Sequence, residues 1–434
     1  MAQRTPNIFD EVPELAVTLA GLPASSERAY TEAFERLAAD DPTGAAILAH
    51  GFLLAAERGL KSVTLAALCA RARIGRATLY RRWESVSAFK AELIKLTVET
   101  SPPGRTTGSL SADLETWTEG ALPWLRHPDA RAMTLNLIFA IASGTLEGEA
   151  LVEATASVRT AGSPLVWAAI ERGEIDAASD VDLLTAALLG PSILTLLIER
   201  REPLAEELAF FNAFFLRLAS QRGVPNADWS GVDRGIDQLI HPLEAELDRL
   251  AATDSAHAAV LRAAMQLLLF DDITMLTTDL LAARAGVSKT TIYDRWDNAE
   301  AVVTEFAILM MLTAQRPPAA TTPFEEMQHW LGRVPVWTAS APIVRAVAAM
   351  FHQIVADETY SDELELGRSL WRTMVSDVVG RAVERGQADP RVDPAKLVAA
   401  LIGPMVQLMM CGQAITEDRV SRLVGAAVAM LSGD

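Results

Sequence analysis

Apolar residues recur at helical spacing in two stretches of the chain, and each stretch runs up to a polar turn. Residues three or four apart share one face of a helix, so this spacing predicts a helix with one buried face. The first helix ends at Gly59, where the apolar pattern stops. The positions on the buried faces are Leu48, Phe52 and Ala55 in the first stretch and Leu261, Met265 and Leu268 in the second.

A second helix and a short turn follow each of these helices. Thr64 and Thr277 stand where an N-cap hydroxyl begins the next helix. The turns are "RIG" at 73–75 and "GVS" at 286–288, where Gly286 tolerates positive φ and Ser288 caps a further short helix. A helix, a turn and a short polar helix form the helix-turn-helix plan, whose second helix enters the major groove of DNA.

The two stretches are copies of one longer unit. An offset of 213 residues carries Tyr80 onto Tyr293, and upstream it carries Arg36 onto Arg249. The same offset carries Gly190-Pro191 onto Gly403-Pro404, more than a hundred residues downstream. Because no net shift accumulates over this length, the chain is a tandem repeat of a whole domain pair.

Loop-rich segments divide each copy into a small head and a larger helical body. Gly, Pro, Asn and Asp are concentrated at 220–235, and shorter loops lie at 101–109 and 315–323. The predicted segments are an acidic extension at 1–25, a first head at 26–100, a first body at 101–219, a linker at 220–238, a second head at 239–314 and a second body at 315–434. The extension is either solvated or packed on the first head.

Composition favours an all-α protein in a reducing compartment. Half of the residues are hydrophobic and β-branched runs are scarce, which favours helices over sheets. Two distant cysteines, Cys69 and Cys411, form no disulfide framework, so the cytoplasm is expected. The most apolar stretch, 183–198, is shorter than the roughly 18 residues of a membrane span. No signal peptide and no membrane association are predicted.

The net charge of -18 argues against nucleic acid until its distribution is considered. Residues 43–95 hold nine basic and three acidic residues, a net charge of +6, whereas residues 256–308 hold four basic and seven acidic residues, a net charge of −3. Local charge governs phosphate binding because salt screens charges over about 8 Å. The first head is therefore predicted to supply most of the nonspecific affinity.

The helix-turn-helix segments resemble one known family. "ARAGVSKTTIYDRW" at 283–296 looks like the recognition segment of TetR-type transcriptional regulators, and "ARARIGRATLYRRW" at 70–83 looks like a drifted version of it. Downstream, the stretches that contain "DLLTAALLGPSILTLL" and "PAKLVAALIGPMVQLM" resemble the C-terminal body of many members. The resemblance implies two three-helix DNA-binding heads, bodies that bind a small effector, and dimerisation through the last two helices of each body.

The resemblance also implies roles for residues at matching positions. Thr64 and Thr277 would cap helices and touch phosphate, and Trp83 and Trp296 would pack inside the heads. The side chains expected to face the groove are Arg76, Thr78, Lys289, Thr290 and Thr291. Those expected to meet the DNA backbone are Tyr80, Arg82, Tyr293 and Arg295, and the predicted interface also includes Arg73, Arg81 and Ser288.

The first head departs from the family at its turn. Arg73 stands where the family usually has Gly, and Gly75 stands where a capping Ser is common. Both changes weaken the expected local geometry. In each head the position of a phosphate-binding Lys is also occupied by another residue, Val86 or Ala299.

The bodies hold candidates for an effector pocket, beside the simpler interpretation that their large side chains form core. A hydrophobic effector is expected, and the methionines make the second body the more adaptable. The candidate pocket residues are Trp124, Phe139 and Trp167 in the first body and Trp337, Phe351, His352, Trp371, Met374, Met405 and Met409 in the second. No metal-binding, nucleotide-binding or catalytic motif is present, so neither a cofactor nor enzymatic activity is predicted.

The sequence therefore predicts a bacterial transcriptional repressor built as two fused TetR-like units. One chain would imitate a dimer, its two heads reading an asymmetric or imperfectly palindromic operator, and an effector would change the separation of the heads. A further homodimer with four heads stays open. The alternative is a helical ligand-sensing or protein-interaction protein whose second head has lost DNA binding.

Overall fold

A computed structural model describes residues 7–100, 107–126, 148–160, 162–199, 201–222, 237–269, 276–313, 320–339 and 361–432, with the single residues 146, 344 and 347. Every regular element within these ranges is helical, which confirms the predicted all-α fold. The chain forms two compact units, one of residues 1–196 with 200–212 and one of residues 197–199 with 213–434. The predicted linker at 220–238 lies mostly outside the described residues and stays a prediction.

The first unit begins with helices that lie upstream of its helix-turn-helix. The helices of the extension are α1 (Ile8–Glu11) and α2 (Pro13–Ala20), and those of the head are α3 (Ala24–Asp40), α4 (Pro42–Arg58), α5 (Leu65–Arg71), α6 (Arg76–Tyr80) and α7 (Val86–Glu99), with a 3-10 turn at Leu60–Ser62. The helices that follow are α8 (Leu110–Arg126), α9 (Gly148–Thr160), α10 (Ser163–Glu171) and α11 (Val181–Ile198), and α12 (Ala205–Ala219) carries the chain into the second unit.

The N-terminal extension packs on the first head. Its apolar residues Ile8, Val12 and Leu15 are at most 1% exposed, and α1, α2 and α3 all contact α4. The ring centroid of Phe52 on α4 lies 5.0 Å from that of Tyr30 and 5.9 Å from that of Phe34. For residues 7–25 of the extension, the packed interpretation is therefore correct.

The second unit repeats this order from α13 onward. Its head comprises α13 (Asp237–Ala251), α14 (Ser255–Leu269), α15 (Thr278–Ala285), α16 (Lys289–Tyr293) and α17 (Ala299–Leu312). Its body comprises α18 (Pro323–Leu331), α19 (Val334–Ala339), α20 (Ser361–Glu384), α21 (Pro394–Met410) and α22 (Glu417–Leu431). Leu243 and Leu247 of α13 join Trp296 and Phe306 in one hydrophobic core. Helix α13 therefore packs on the second head as α3 packs on the first.

Both bodies contain the same buried ion pair at equivalent positions. Asp113 is fully buried on α8 and binds Arg172 at 2.7 Å, and 213 residues later Glu326 is fully buried on α18 and binds Arg385 at 2.7 Å. Arg381 also binds Glu326, at 2.5 Å. Although burial raises the pKa of Glu326, hydrogen bonds from the two arginines bring it below its usual value.

Candidate nucleic-acid interface

Each helix-turn-helix begins with the predicted threonine cap. The hydroxyl of Thr64 accepts a hydrogen bond from Ala67 N at 3.2 Å, and that of Thr277 accepts one from Leu280 N at 3.3 Å. Both threonines have extended backbone, as an N-cap requires. The capping predictions are confirmed, whereas contact of these residues with phosphate stays a prediction.

The turn before the recognition helix is relaxed in the second head and strained in the first. Gly286 has φ 69°, and Ser288 caps α16 by accepting from Thr291 N at 3.0 Å. In the first head Arg73 has φ 53°, a left-handed conformation that side chains with a Cβ rarely adopt. Gly75 begins α6 without a side-chain hydrogen bond. Both departures that the sequence showed therefore have a structural counterpart.

Each recognition helix is anchored by two buried side chains and turns its polar side outward. Leu79 and Ile292 are fully buried, and Trp83 and Trp296 are 7% and 5% exposed, which confirms that the tryptophans pack inside the heads. Of the predicted DNA-contacting residues, the exposed ones are Arg73, Arg76, Tyr80 and Arg81 in the first head and Ser288, Lys289, Thr290, Tyr293 and Arg295 in the second; Thr78, Arg82 and Thr291 are half-buried, as is Thr277, while Thr64 is exposed.

Arg82 and Arg295, predicted to meet the DNA backbone, are each held by a carboxylate of their own head. Nε and Nη2 of Arg82 donate to the two carboxylate oxygens of Asp41 at 2.5 and 2.9 Å. Arg295 binds Asp254, the residue 213 positions after Asp41. Phosphate contact by these arginines stays a prediction, and it requires exchange of a carboxylate for a phosphate.

The two heads differ in the cations left without an ion-pair partner. Within the described residues, Arg73, Arg76 and Arg81 of the first head have none. In the second head Lys289 is paired with Asp279, Arg295 with Asp254 and Arg262 with Asp248, and Arg284 is not free either. The recognition turn and helix of the first head therefore carry three cations without an ion-pair partner, whereas Lys289 and Arg295 at the equivalent segment of the second head are both paired.

Sequence reasoning missed a histidine that lies beside Arg295. His257 Nδ1 is 2.7 Å from Arg295 Nη1, and His257 Nε2 is 2.6 Å from Glu305 Oε1. Glu305 also accepts a hydrogen bond from Trp296 Nε1 at 2.7 Å. The offset of 213 carries Asp41 onto Asp254 and Glu92 onto Glu305, but it carries Gly44 onto His257. The acidic residues were therefore detectable as repeated positions, and the histidine as a change between copies.

The predicted effector residues that the structure describes differ in exposure, and their role in a pocket stays a prediction. Trp167 is 50% exposed and Trp371 is half-buried, whereas Met374, Met405 and Met409 are buried. The side chains of Trp124 and Trp337, and all of Phe139, Phe351 and His352, lie outside the described residues. A cleft of about 750 Å³ in the first unit lies elsewhere, between α3, α7 and α9, where Arg82 and Trp83 line it.

No helix among the described residues is long and apolar enough to cross a membrane. In that part of the chain no three His, Cys, Asp or Glu side chains gather where they could hold a metal ion.

Two helix-turn-helix heads with solvent-facing recognition helices define a DNA-binding transcriptional regulator. The family model described as bacterial regulatory proteins of the tetR family matches residues 47–93 and 260–306, and the tetracyclin repressor-like C-terminal domain matches 105–210 and 318–427. These matches cover more than half of the chain, so the protein belongs to the TetR family and carries both of its domains twice. A comparison with curated proteins gave no match.

Proposed function

We propose that this protein is a repressor whose two heads read two non-identical half-sites of one operator, the first head providing most of the affinity. A small effector releases it from DNA. The proposal places the protein in the bacterial cytoplasm, where the operator lies, and gives it no enzymatic role, in keeping with a family of DNA-binding regulators that are generally not enzymes.

The observation that carries this proposal is the contrast between free and paired cations. Arg73, Arg76 and Arg81 are available to phosphates, whereas Lys289 and Arg295 have to leave a carboxylate first. Each phosphate that a cation neutralises releases counterions and adds nearly one unit to the salt slope of binding. Arg76 and Lys289 occupy equivalent positions, so their contributions are directly comparable.

The test compares Arg76→Ala with Lys289→Ala in the full chain. Binding to a random-sequence duplex is measured by fluorescence anisotropy over a range of salt concentrations. We expect Arg76→Ala to lower the salt slope by about one unit and Lys289→Ala to lower it by clearly less. Equal changes contradict the proposed inequality of the heads, and a wild-type chain that binds no duplex contradicts DNA binding altogether.

For the quaternary arrangement we propose an intramolecular pseudo-dimer that binds as a single chain. Heads about 34–36 Å apart match successive turns of the major groove, and two heads in one chain make a second chain unnecessary. Sedimentation of the complex with a selected operator decides this. One chain per operator supports the pseudo-dimer, and two chains support a homodimer with four heads.

For the effector, the proposal is supported by the family's C-terminal domain and by the size of the cleft in the first unit. Its volume of about 750 Å³ lies within the range of small-molecule sites. Because Arg82 and Trp83 line this cleft, a ligand there would contact the segment that follows the recognition helix. The predicted pocket residues of the two bodies remain the competing location. If the effector binds in a body rather than in this cleft, alanine substitution at Trp167 or Met405 should abolish the release of DNA by the effector.

The paired cations of the second head favour one other function. In that case the second head is a structural or protein-binding element, and the chain reads DNA with the first head alone. Footprinting of a selected operator separates the two: protection over two half-sites supports the repressor with two reading heads, and protection over a single half-site supports the alternative.

A further inference from the structure

The imidazole of His257 lies between a cation and a carboxylate of the second head. It is packed at 5.2 Å against the ring of Trp296, and its side chain is 10% exposed. Arg295 approaches Nδ1 and Glu305 approaches Nε2. Both ring nitrogens are therefore hydrogen-bonded, Nδ1 to a cation and Nε2 to an anion.

The chemistry of the two partners determines the tautomer. A guanidinium has only donors, so Nδ1 has to accept from Arg295 and carries no proton. Nε2 then carries the proton and donates a hydrogen bond to Glu305, whose carboxylate also accepts one from Trp296. Burial raises the pKa of Glu305, but the hydrogen bonds from His257 and Trp296 bring it below its usual value, which keeps this acceptor ionised.

We propose that His257 is a positioning residue that holds Arg295 back from DNA while its imidazole is neutral, and that protonation of Nδ1 releases Arg295 toward a phosphate. This inference rests on the proposed function, because it assumes that the second head touches DNA. A protonated Nδ1 can no longer accept, and two like charges then face each other at hydrogen-bond distance. The second head thus binds phosphate more strongly in acid than in base.

The other charged groups around the ring agree with this direction. Asp254 is bound to Arg295 and accepts from the backbone N of His257 at 2.9 Å. After protonation of the ring, Arg295 therefore loses one of its two hydrogen-bond partners and keeps Asp254 and the face of Trp296, whose ring centroid is 5.8 Å from the guanidinium. The packed helix α13 directs its carboxylates Asp248 and Glu246 at Arg262 and Arg249 rather than at the ring. Within the described residues the charged groups hydrogen-bonded to His257 are Arg295, Asp254 and Glu305.

The first head has no counterpart of this device. Gly44 takes the place of His257, and both carboxylate oxygens of Asp41 are used by Arg82. A Cβ added at Gly44 would come within 2.4 Å of Asp41 Oδ2, so a histidine does not fit there without moving Asp41. Release by protonation is accordingly a property of the second head.

The first test is spectroscopic and requires no DNA. Nitrogen chemical shifts of the His257 ring are recorded in the full chain above neutral pH, with His257→Gln identifying the signal. We expect the tautomer that carries its proton on Nε2. A ring that carries its proton on Nδ1 overturns the inference whether or not the protein binds DNA.

The second test measures binding to a random-sequence duplex in a chain whose first head is disabled by Arg76→Ala and Arg81→Ala. We expect binding about fivefold tighter, with a salt slope greater by about one unit, at about pH 6 than at about pH 8. His257→Gln keeps an acceptor for Arg295 and a donor for Glu305 but cannot take up a proton. It should bind as the parent does at the higher pH and respond little to acid.

The outcomes separate the inference from the function on which it rests. A His257→Gln chain that keeps the full pH response, or a parent that has none, overturns the inference alone. A wild-type chain that binds no duplex at any pH overturns the proposed function, while the tautomer measurement still judges the hydrogen-bond arrangement.

Discussion

At the scale of single residues, Arg73 gives the first head a positive charge at a backbone position that favours glycine. Arg73 occupies a left-handed position that its equivalent, Gly286, takes without strain. Its guanidinium is one of three free cations at the recognition turn and helix. The same side chain therefore weakens the fold and is expected to strengthen the contact with DNA.

Arg73→Gly should make the recognition turn more stable and DNA binding weaker. Relief of the left-handed strain should stabilise the first head by about 1 kcal/mol, while loss of one cation lowers the salt slope by about one unit. Hydrogen exchange of the α6 amides measures the first effect and duplex binding the second. Gly286→Ala in the second head is the matched control and should lower the stability of α16. An Arg73→Gly chain in which the stability of α6 and the affinity for DNA both rise, or both fall, would contradict this account.

The caps of the two recognition helices give a second comparison between equivalent positions. Ser288→Ala removes a hydrogen bond to Thr291 N and should destabilise α16 by about 1 kcal/mol. Gly75→Ser should stabilise α6 by only a few tenths of a kcal/mol, and a Cβ at Gly75 meets no atom within 4 Å. Exchange rates of the helix amides check both values, and a loss of stability in Gly75→Ser would contradict the prediction.

At the scale of elements, an ion pair ties the end of each recognition helix to the start of an earlier helix. Asp41 precedes α4 and Arg82 follows α6, so their contact joins the helix before the helix-turn-helix to the recognition helix. The hydrogen bond from Arg82 lowers the pKa of Asp41 from 3.8 to about 2. Since that carboxyl is half exposed, its effect on stability is modest and best detected through its dependence on pH.

The Asp41–Arg82 pair should make the first head sensitive to acid. Because the folded pKa is the lower one, the pair's contribution is present above 3.8 and is lost as the pH falls toward about 2. The indole N–H signal of Trp83 reports this loss. In Asp41→Asn the pH dependence should be reduced in that range, whereas Asn at the exposed neighbour Asp40 should leave it unchanged. An unaltered profile in Asp41→Asn would show that the pair contributes nothing.

The buried ion pair of each body should matter far more than this exposed one. Glu326→Ala leaves Arg381 and Arg385 facing each other without their carboxylate and should cost about 3 kcal/mol. Asp113→Ala should cause a comparable loss in the first unit, and alanine at the exposed Glu244 should have little effect. Urea unfolding midpoints measure all three. Equal midpoints for Glu326→Ala and Glu244→Ala would refute the prediction.

The elements were predictable to the extent that a local pattern determines them. Thr64, Gly286 and Ser288 follow from the requirements of caps and turns, and the repeat follows from one constant offset. The partners of Arg82 and Arg295 were not predictable, because Asp41 and Asp254 lie 41 residues earlier and only folding brings them close. For the same reason the aromatic and methionine positions in the bodies leave the pocket a prediction: spacing along a helix shows which face is apolar but not what that face packs against.

At the scale of the whole molecule, a few substitutions separate one head's charge from the other's. Ala66 and Arg81 of the first head become Asp279 and Asp294 in the second. Asp279 pairs with Lys289, the equivalent of Arg76. These two positions alone change the local charge by three units between the copies, within a chain of net charge -18.

Exchanging these positions should reverse the relative contributions of Arg76 and Lys289 to DNA binding. A chain with Ala66→Asp, Arg81→Asp, Asp279→Ala and Asp294→Arg should lose salt-dependent affinity in the first head and gain it in the second. The gain in the second head is measured by adding Lys289→Ala or Arg76→Ala to the exchange chain. Lys289→Ala should now lower the salt slope of binding more than Arg76→Ala does. An exchange chain in which Arg76→Ala still has the larger effect would show that charge at these positions does not rank the heads.

The helix that precedes each family-matched head also determines where a stable fragment of this protein can begin. The family matches begin at 47 and 260, but Tyr30 and Phe34 on α3 cover Phe52, and Leu243 and Leu247 on α13 belong to the core of the second head. A recombinant fragment cut at the family boundary would present these aromatic and aliphatic surfaces to water and is expected to aggregate. Soluble pieces for crystallisation or titration should start no later than Ile8 and Asp237, because α1 and α2 also pack on the first head.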